Sequence, residues 1–195
     1  MTALSNDSLF FLRESKRAYL DKPVEQEKLD RLCEIIRWSP SSGNAQPWRF
    51  IFIRDDEQKK KAGEALPRGN QWALAAPILI AVCTHTDFDA VRDDDAVEYA
   101  QFDTGLATMS LLLGATHLGL MGHGMAGYDS PKMKAALGIP NDWKIMCMAS
   151  LGYRGNHDDL DERTKKKDES PRTRKSVSEI IQFDKFNFAL PEKKE

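Results

Sequence analysis

The sequence predicts an α+β fold in which helices are layered on a sheet, and three observations carry that reading. Helical and strand-forming segments alternate, but not as regular βαβ units. Residues 48–53 and 77–83 are short, nearly continuous apolar runs rich in strand formers, the pattern of strands covered on both faces. A Ser/Gly/Asn/Pro loop at residues 39–47 stands before its strand, and no G-x-G-x-x-G follows the first strand. In a doubly wound dinucleotide fold the phosphate loop follows the strand.

Taken in order, residues 6–14 form a first helix capped by Asn6 or Asp7. Pro23 opens a second, on which Leu29, Leu32, Cys33 and Ile36 recur at helical spacing on one face. It ends near Trp38-Ser39-Pro40, because the residue before a proline avoids helix. Residues 48–53 are then a strand, and residues 56–65 a polar helix broken by Pro67-Arg68-Gly69. Residues 77–83 make a second strand, central to its sheet.

The longest helix covers about 23 residues, 95–117, and so about 35 Å at 1.5 Å per residue. A helix that spans the whole domain is a core strut or half of a subunit interface. One face carries Tyr99, Phe102, Leu106, Met109, Leu113 and Thr116, while Gly105, Ala107, Gly114 and Ala115 admit another backbone closely. A strand at 120–125, a short helix at 131–137 and a strand at 145–151 follow. The remainder is a basic stretch and a tail at 183–190, too rich in aromatics to stay free.

A chain of 195 residues predicts one domain with a substantial core. The formal net charge of −2 gives no global field for nucleic acid. No apolar run reaches the roughly 18 residues of a membrane span. Residues 1–7 lack the basic start and apolar core of a secretory signal, so a cytoplasmic protein is expected. Cys33, Cys83 and Cys147 are far apart among apolar neighbours and are expected as buried free thiols. With His85, His117, His123 and His157 they form no metal-ligand spacing.

Two motifs carry chemistry. Arg13-Glu14-Ser15-Lys16-Arg17 sets two guanidinium groups and a hydroxyl on alternate residues, donors suited to phosphate oxygens. Ser39-Pro40-Ser41-Ser42-Gly43-Asn44-Ala45-Gln46-Pro47-Trp48 is a turn-rich run of small donors ending in an aromatic. An exposed basic turn explains the first equally well, and helix-to-strand punctuation the second.

In series these residues resemble the nitroreductase family of FMN-dependent oxidoreductases. The match runs through Arg13, Ser15 and Arg17, then Pro40, Ser41, Ser42, Asn44, Gln46, Pro47 and Trp48. It continues in Asn70-Gln71 ahead of Ala76-Pro77-Ile78-Leu79-Ile80, in Gly119-Leu120 and in Gly127-Tyr128-Asp129. Leu137-Gly138-Ile139-Pro140, Leu151-Gly152-Tyr153 and Arg172-Thr173-Arg174 close it, so that residues 8–182 are covered.

The resemblance implies a three-layer fold with a central, mostly antiparallel sheet flanked by helices, in an intertwined homodimer with its sites at the subunit interface. The chain would be one FMN-binding domain, 1–195, whose tail, 176–195, embraces the partner. Arg13, Ser15, Arg172 and Arg174 would bind the FMN phosphate. Arg17 and the amides of Asn70 and Gln71 would face the pyrimidine end of the ring; other members often place a Lys near the Asn70 position, where this chain departs and has Arg68 and Trp72. Ala126 and Gly127 would bring backbone to the ring. Pro40, Ser41, Ser42 and Asn44 would contact the flavin of the other subunit, and Trp48 would lock that loop into the core. The implied activity is ping-pong transfer of hydride from NADH or NADPH through flavin N5 to a nitroaromatic, quinone or similar acceptor, with no protein acid required.

Three alternatives stand beside it. An FMN carrier or redox sensor with little turnover would show the same binding residues. A member with a specialised substrate would use the acidic loop from Cys83 to Val97, with His85, Asp87, Asp89 and Asp93-Asp94-Asp95, as a lid; the same acids suit a helix N-terminus. A nucleic-acid module resting on residues 163–175 is opposed by the near-neutral charge and the absence of aromatics there. His123, beside the flavin loop, is a candidate proton donor.

Overall fold

The structure, a computed structural model, describes residues 5–90 and 97–188. Four strands, β1 (Trp48–Ile53), β2 (Ile78–Thr84), β3 (Met121–Met125) and β4 (Lys144–Gly152), form one antiparallel sheet in the order β1-β2-β4-β3. Every residue of β2 is buried, as its unbroken apolar run requires. Its alternate side chains serve two layers. Ile78, Ile80 and Val82 pack with α2 (Gln26–Arg37) and α4 (Tyr99–His117). Leu79, Ala81 and Cys83 pack with α3 (Asp56–Gly63) and α5 (Ser130–Leu137). The three-layer α+β arrangement follows directly.

Several elements depart from expectation. The first helix, α1 (Leu9–Leu12), is a single turn starting after Ser8, because Arg13 is already extended. The second begins at Gln26, not Pro23. Cys33 on it is exposed rather than buried: Leu29, Leu32 and Ile36 define the inward stripe, and Cys33 falls beside it. Cys83 is buried and Cys147 half-buried, both free. Strand β1 is only partly covered, with Arg49 exposed, since it lies at the sheet edge.

Helix α4 buries Ala100, Asp103, Thr104, Ala107, Leu111, Gly114 and Ala115. A Cβ on Gly114 would stand 2.9 Å from Leu32 and Ile35 side chains, so this glycine sets the close approach of α2. Gly105 is on the outer side. The apolar stripe seen in the sequence points away from this core: Phe102 is 59% exposed and Met109 39%. The expected start of the helix at residue 95 lies outside the described residues, as does the Asp93–Asp95 acidic run.

Two helices went unpredicted. Helix α6 (Glu162–Glu169) is capped by Asp161, whose carboxylate accepts the N–H groups of Arg163 and Thr164. Lys165–Lys167, expected as loop, lie within it. A single turn, α7 (Val177–Ile180), follows. Beyond it Phe183 and Phe186 are exposed. Among the described residues no helix is long and apolar enough to cross a membrane.

Candidate functional site

The extended segment after α1 is fastened along its length. Leu20 N–H donates to the Tyr153 carbonyl at 3.0 Å and Gly155 N–H to that of Ala18 at 2.9 Å. A Cβ on Gly155 would lie 2.6 Å from Tyr19 backbone, so only glycine permits this pairing. The Lys16 carbonyl accepts from His123 Nδ1–H on β3 at 2.8 Å, and the Arg17 N–H donates to Asp168 Oδ1 on α6 at 2.7 Å.

These anchors bring Arg13, Ser15, Arg172 and Arg174 together around a cavity of about 160 Å³, with Lys16 and Lys167 on its wall. Arg13 donates to Ser15 Oγ at 2.9 Å. Arg172 donates to the Phe11 carbonyl and lies over the Phe11 ring. Burial, and then the charges of Arg172 and Arg174, push the Arg13 guanidinium below its ordinary pKa. The two acids on the wall are already matched: Glu14 pairs with Arg154 at 3.2 Å and Asp168 with Arg17 at 3.6 Å. Guanidinium groups held together with no ion pair of their own among the described residues fit a phosphate monoester.

A second group adjoins the first. Arg17 lies 5.6 Å over the Trp72 ring, which tilts against His123 at 4.7 Å and stacks parallel to Tyr19 at 6.5 Å. Tyr19 Oη meets Ser150 Oγ at 2.7 Å. His123 is buried, and a carbonyl partner fixes the proton on Nδ1, so burial holds the ring neutral and its pKa below 6.5. It is committed to the backbone and is not placed as a proton donor.

Asn70 Nδ2 donates to the Gly127 carbonyl at 2.8 Å, and a Cβ on Gly127 would stand 2.7 Å from that nitrogen. Ala126 and Gly127 lie exposed just past the end of β3. Gln71 departs from expectation, since its amide donates to the Gly63 and Leu66 carbonyls, where α3 ends. It closes a helix terminus instead of facing a ligand. Phosphate donors, a cation on an aromatic and a bare backbone edge together fit the two ends of FMN.

The loop at residues 40–47 lies elsewhere. Ser42 N–H donates to the buried Asp103 carboxylate at 2.9 Å, and Gln46 N–H to Ser41 Oγ at 3.0 Å. Pro40 and Asn44 are exposed, and Trp48 locks the loop into the core as expected. Gly43, Asn44 and Gln46 have φ of 56°, 57° and 48°. For Gln46 that left-handed backbone is costly, and such strain gathers at functional sites. The loop enters β1, whereas the Arg17 segment lies against β3, at the opposite sheet edge, three strand spacings or about 14 Å away.

The segment from residue 84 is pinned at its start. His85 Nε2 meets Asp142 at 3.2 Å, Phe88 and Trp143 pack on its ring, and Asp89 accepts the Ala100 N–H at 2.9 Å. Asp89 thus satisfies a donor at the start of α4, the helix-terminus role weighed for this acidic loop. Asp168 and Trp72 were not among the expected site residues. Asp168 is hidden in the run Lys165-Lys166-Lys167-Asp168-Glu169, and Trp72 carries no local signal beyond its distance from Asn70.

The nitroreductase family model matches residues 12–70 and 64–153. A Xanthomonas oryzae pv. oryzae protein named, by inference, NADH dehydrogenase/NAD(P)H nitroreductase is 32% identical over 171 residues, 78% of this chain and 87% of its own length. An Archaeoglobus fulgidus protein of the same inferred name is 33% identical over 156 residues, with the same two shares. Among solved structures, an oxidoreductase containing FMN superposes with a TM-score of 0.84 at 28% identity, over 97% of this chain and 96% of its own. A nitroreductase family protein from Clostridium difficile 630 gives 0.75 at 28% identity, over 91% and 97%.

Proposed function

Because the chain belongs to the nitroreductase family, we propose that it is an FMN-dependent oxidoreductase drawing electrons from NAD(P)H. The acceptor class we propose is a nitroaromatic, quinone or similar small molecule, reached by ping-pong exchange at one open site. The observation that carries this reading is the convergence of Arg13, Ser15, Arg172 and Arg174 on one small cavity whose acids are already paired.

FMN, when bound, supplies the hydride chemistry at N5. The chain's part is binding and orientation. Arg13, Ser15, Arg172 and Arg174 hold the phosphate; Arg17 brings a cation, and Asn70 its amide, to the pyrimidine end of the ring. Backbone at Ala126 and Gly127 is free of any side chain beyond a methyl, so the ring can lie close.

Pro40, Ser41, Ser42 and Asn44 complete the site from a second copy of the chain. The separation of the two sheet edges supports this, as do the exposed Phe102 and Met109 of α4 and Phe183 and Phe186 of the tail. So much apolar surface on one chain marks an interface. In this reading the tail from residue 176 embraces the partner; its last residues, 189–195, lie outside the described residues.

The test is the visible spectrum of the purified protein before and after anaerobic NADPH, then NADH. A yellow protein that bleaches with either nucleotide supports the reading. No flavin after soaking in FMN overturns it, and flavin that binds without bleaching favours a carrier or sensor.

A further inference from the structure

The peptide unit between Lys16 and Arg17 separates the phosphate donors Arg13 and Ser15 from the ring-side Arg17. Its two polar ends are both held by buried side chains from different parts of the fold. His123 on β3 is 8% exposed and donates through Nδ1–H to the Lys16 carbonyl at 2.8 Å. Asp168 on α6 is 5% exposed and accepts the Arg17 N–H at 2.7 Å. In a trans peptide these ends point in opposite directions, so the two side chains grip it from opposite sides. Rotation of that plane would swing Ser15 and Arg17 relative to each other.

We propose that His123 and Asp168 are positioning residues for the cofactor cradle, clamping the Lys16–Arg17 peptide so that phosphate and ring donors share one fixed geometry. This rests on the reading that FMN occupies the cradle. Asp168 also lines the cavity, where its carboxylate is committed to Arg17, and each side chain has a further reason to stay in place. Asp168 also pairs with the Arg17 guanidinium at 3.6 Å, and its backbone carbonyl accepts from Lys16 Nζ. His123 is packed by Trp72, over whose ring Arg17 also lies. Asp168 stands four residues before Arg172, so the clamp ties the N-terminal donors to the C-terminal ones as well.

The clamp predicts that hydrogen-bonding capacity, and not charge or ring shape, sets cofactor affinity. Asp168→Ala and His123→Phe remove one end each; Asp168→Asn keeps an acceptor and His123→Gln keeps a donor. FMN dissociation constants are measured by fluorescence quenching on apoprotein whose fold is checked by circular dichroism. Expected are losses of about tenfold or more in Asp168→Ala and His123→Phe, with most affinity recovered in Asp168→Asn and His123→Gln. Unchanged affinity in the first two variants, or equal loss in all four, overturns the proposal.

A second measurement needs no variant. Amide exchange in the wild-type apoprotein, read by NMR, is expected to show Arg17 N–H protected; free exchange there overturns the clamp. Because that measurement uses no flavin, failure of wild-type protein to bind FMN would sink the cofactor reading separately.

Discussion

The basic cradle and the Ser/Asn loop answer one question differently: what can a single chain assemble? The cradle draws residues 13–17 and 172–174 from opposite ends of the sequence and is complete in one chain, fastened to β3, to α6 and to the segment after β4. The loop is equally well built, with Asp103 and Ser41 satisfying its backbone, yet it sits at the sheet edge opposite the cradle. A loop that holds Gln46 in a left-handed conformation carries the kind of strain that gathers at functional sites, which fits the proposal that it serves a ligand held by a second copy. The difference argues for a composite site, half of it built by each copy.

The largest effect expected from that division is all-or-none. Arg13→Ala and Ser42→Trp should each abolish NADH oxidation when pure, the first through the cradle and the second through the loop. Refolded together in equal amounts, they should recover about a quarter of wild-type activity. Half of the dimers are then mixed, and each mixed dimer has one site with intact cradle and loop. A mixture as dead as its components would place loop and cradle in the same chain's site.

Arg174 lies exposed at the cradle's rim, whereas Arg13 is partly buried, so loss of Arg174 is a graded change. Arg174→Ala should weaken FMN binding about 10- to 100-fold, the worth of one charge-assisted hydrogen bond of roughly 1.5–3 kcal/mol. Equilibrium dialysis measures it, and unchanged retention would remove Arg174 from the phosphate site. Gly127→Ala is smaller still. Its Cβ would stand 2.7 Å from Asn70 Nδ2 and displace that amide, costing about one neutral hydrogen bond and hence several-fold in FMN affinity. Wild-type affinity there would show that the Asn70 amide plays no part in holding the ring.

The same contrast runs through what the sequence disclosed. Strand β2 was legible because burial on both faces favours a continuous apolar run, broken only at its last residue, Thr84, whose hydroxyl donates to the Pro47 carbonyl. The R-x-S-x-R pattern was legible as a set of donors, although the fold puts Arg13 and Ser15 on the cavity and Arg17 over Trp72. Helix α4 showed its apolar stripe, but periodicity names a face and not its partner: the core took the small-residue side around Ala107 and Gly114. Helix α6 has no apolar period at all, only the Asp161 cap, so Asp168 could not be told from its charged neighbours. Gln71 was misread for a related reason, as its partners are backbone carbonyls created only when α3 ends. Local chemistry was readable; contacts made across the chain were not.

The smallest effect tests whether the cradle's support is also its weak point at low pH. His123 is held neutral by burial, with Arg17 and Arg13 opposing a second proton and Asp168 and the Lys16 carbonyl favouring it; burial dominates, and the folded pKa falls below 6.5. The unfolded chain therefore takes up this proton first as pH drops, and stability must decline below about 6.5 while staying unaffected above it. One group accounts for at most about 1.4 kcal/mol per pH unit. Thermal melts between pH 7.5 and 5 should show that decline in wild-type protein and a flatter profile in His123→Gln, which keeps the hydrogen bond but cannot titrate. The melts are run on apoprotein, so flavin binding does not enter. Identical slopes in the two proteins would assign the acid sensitivity to groups outside the cradle.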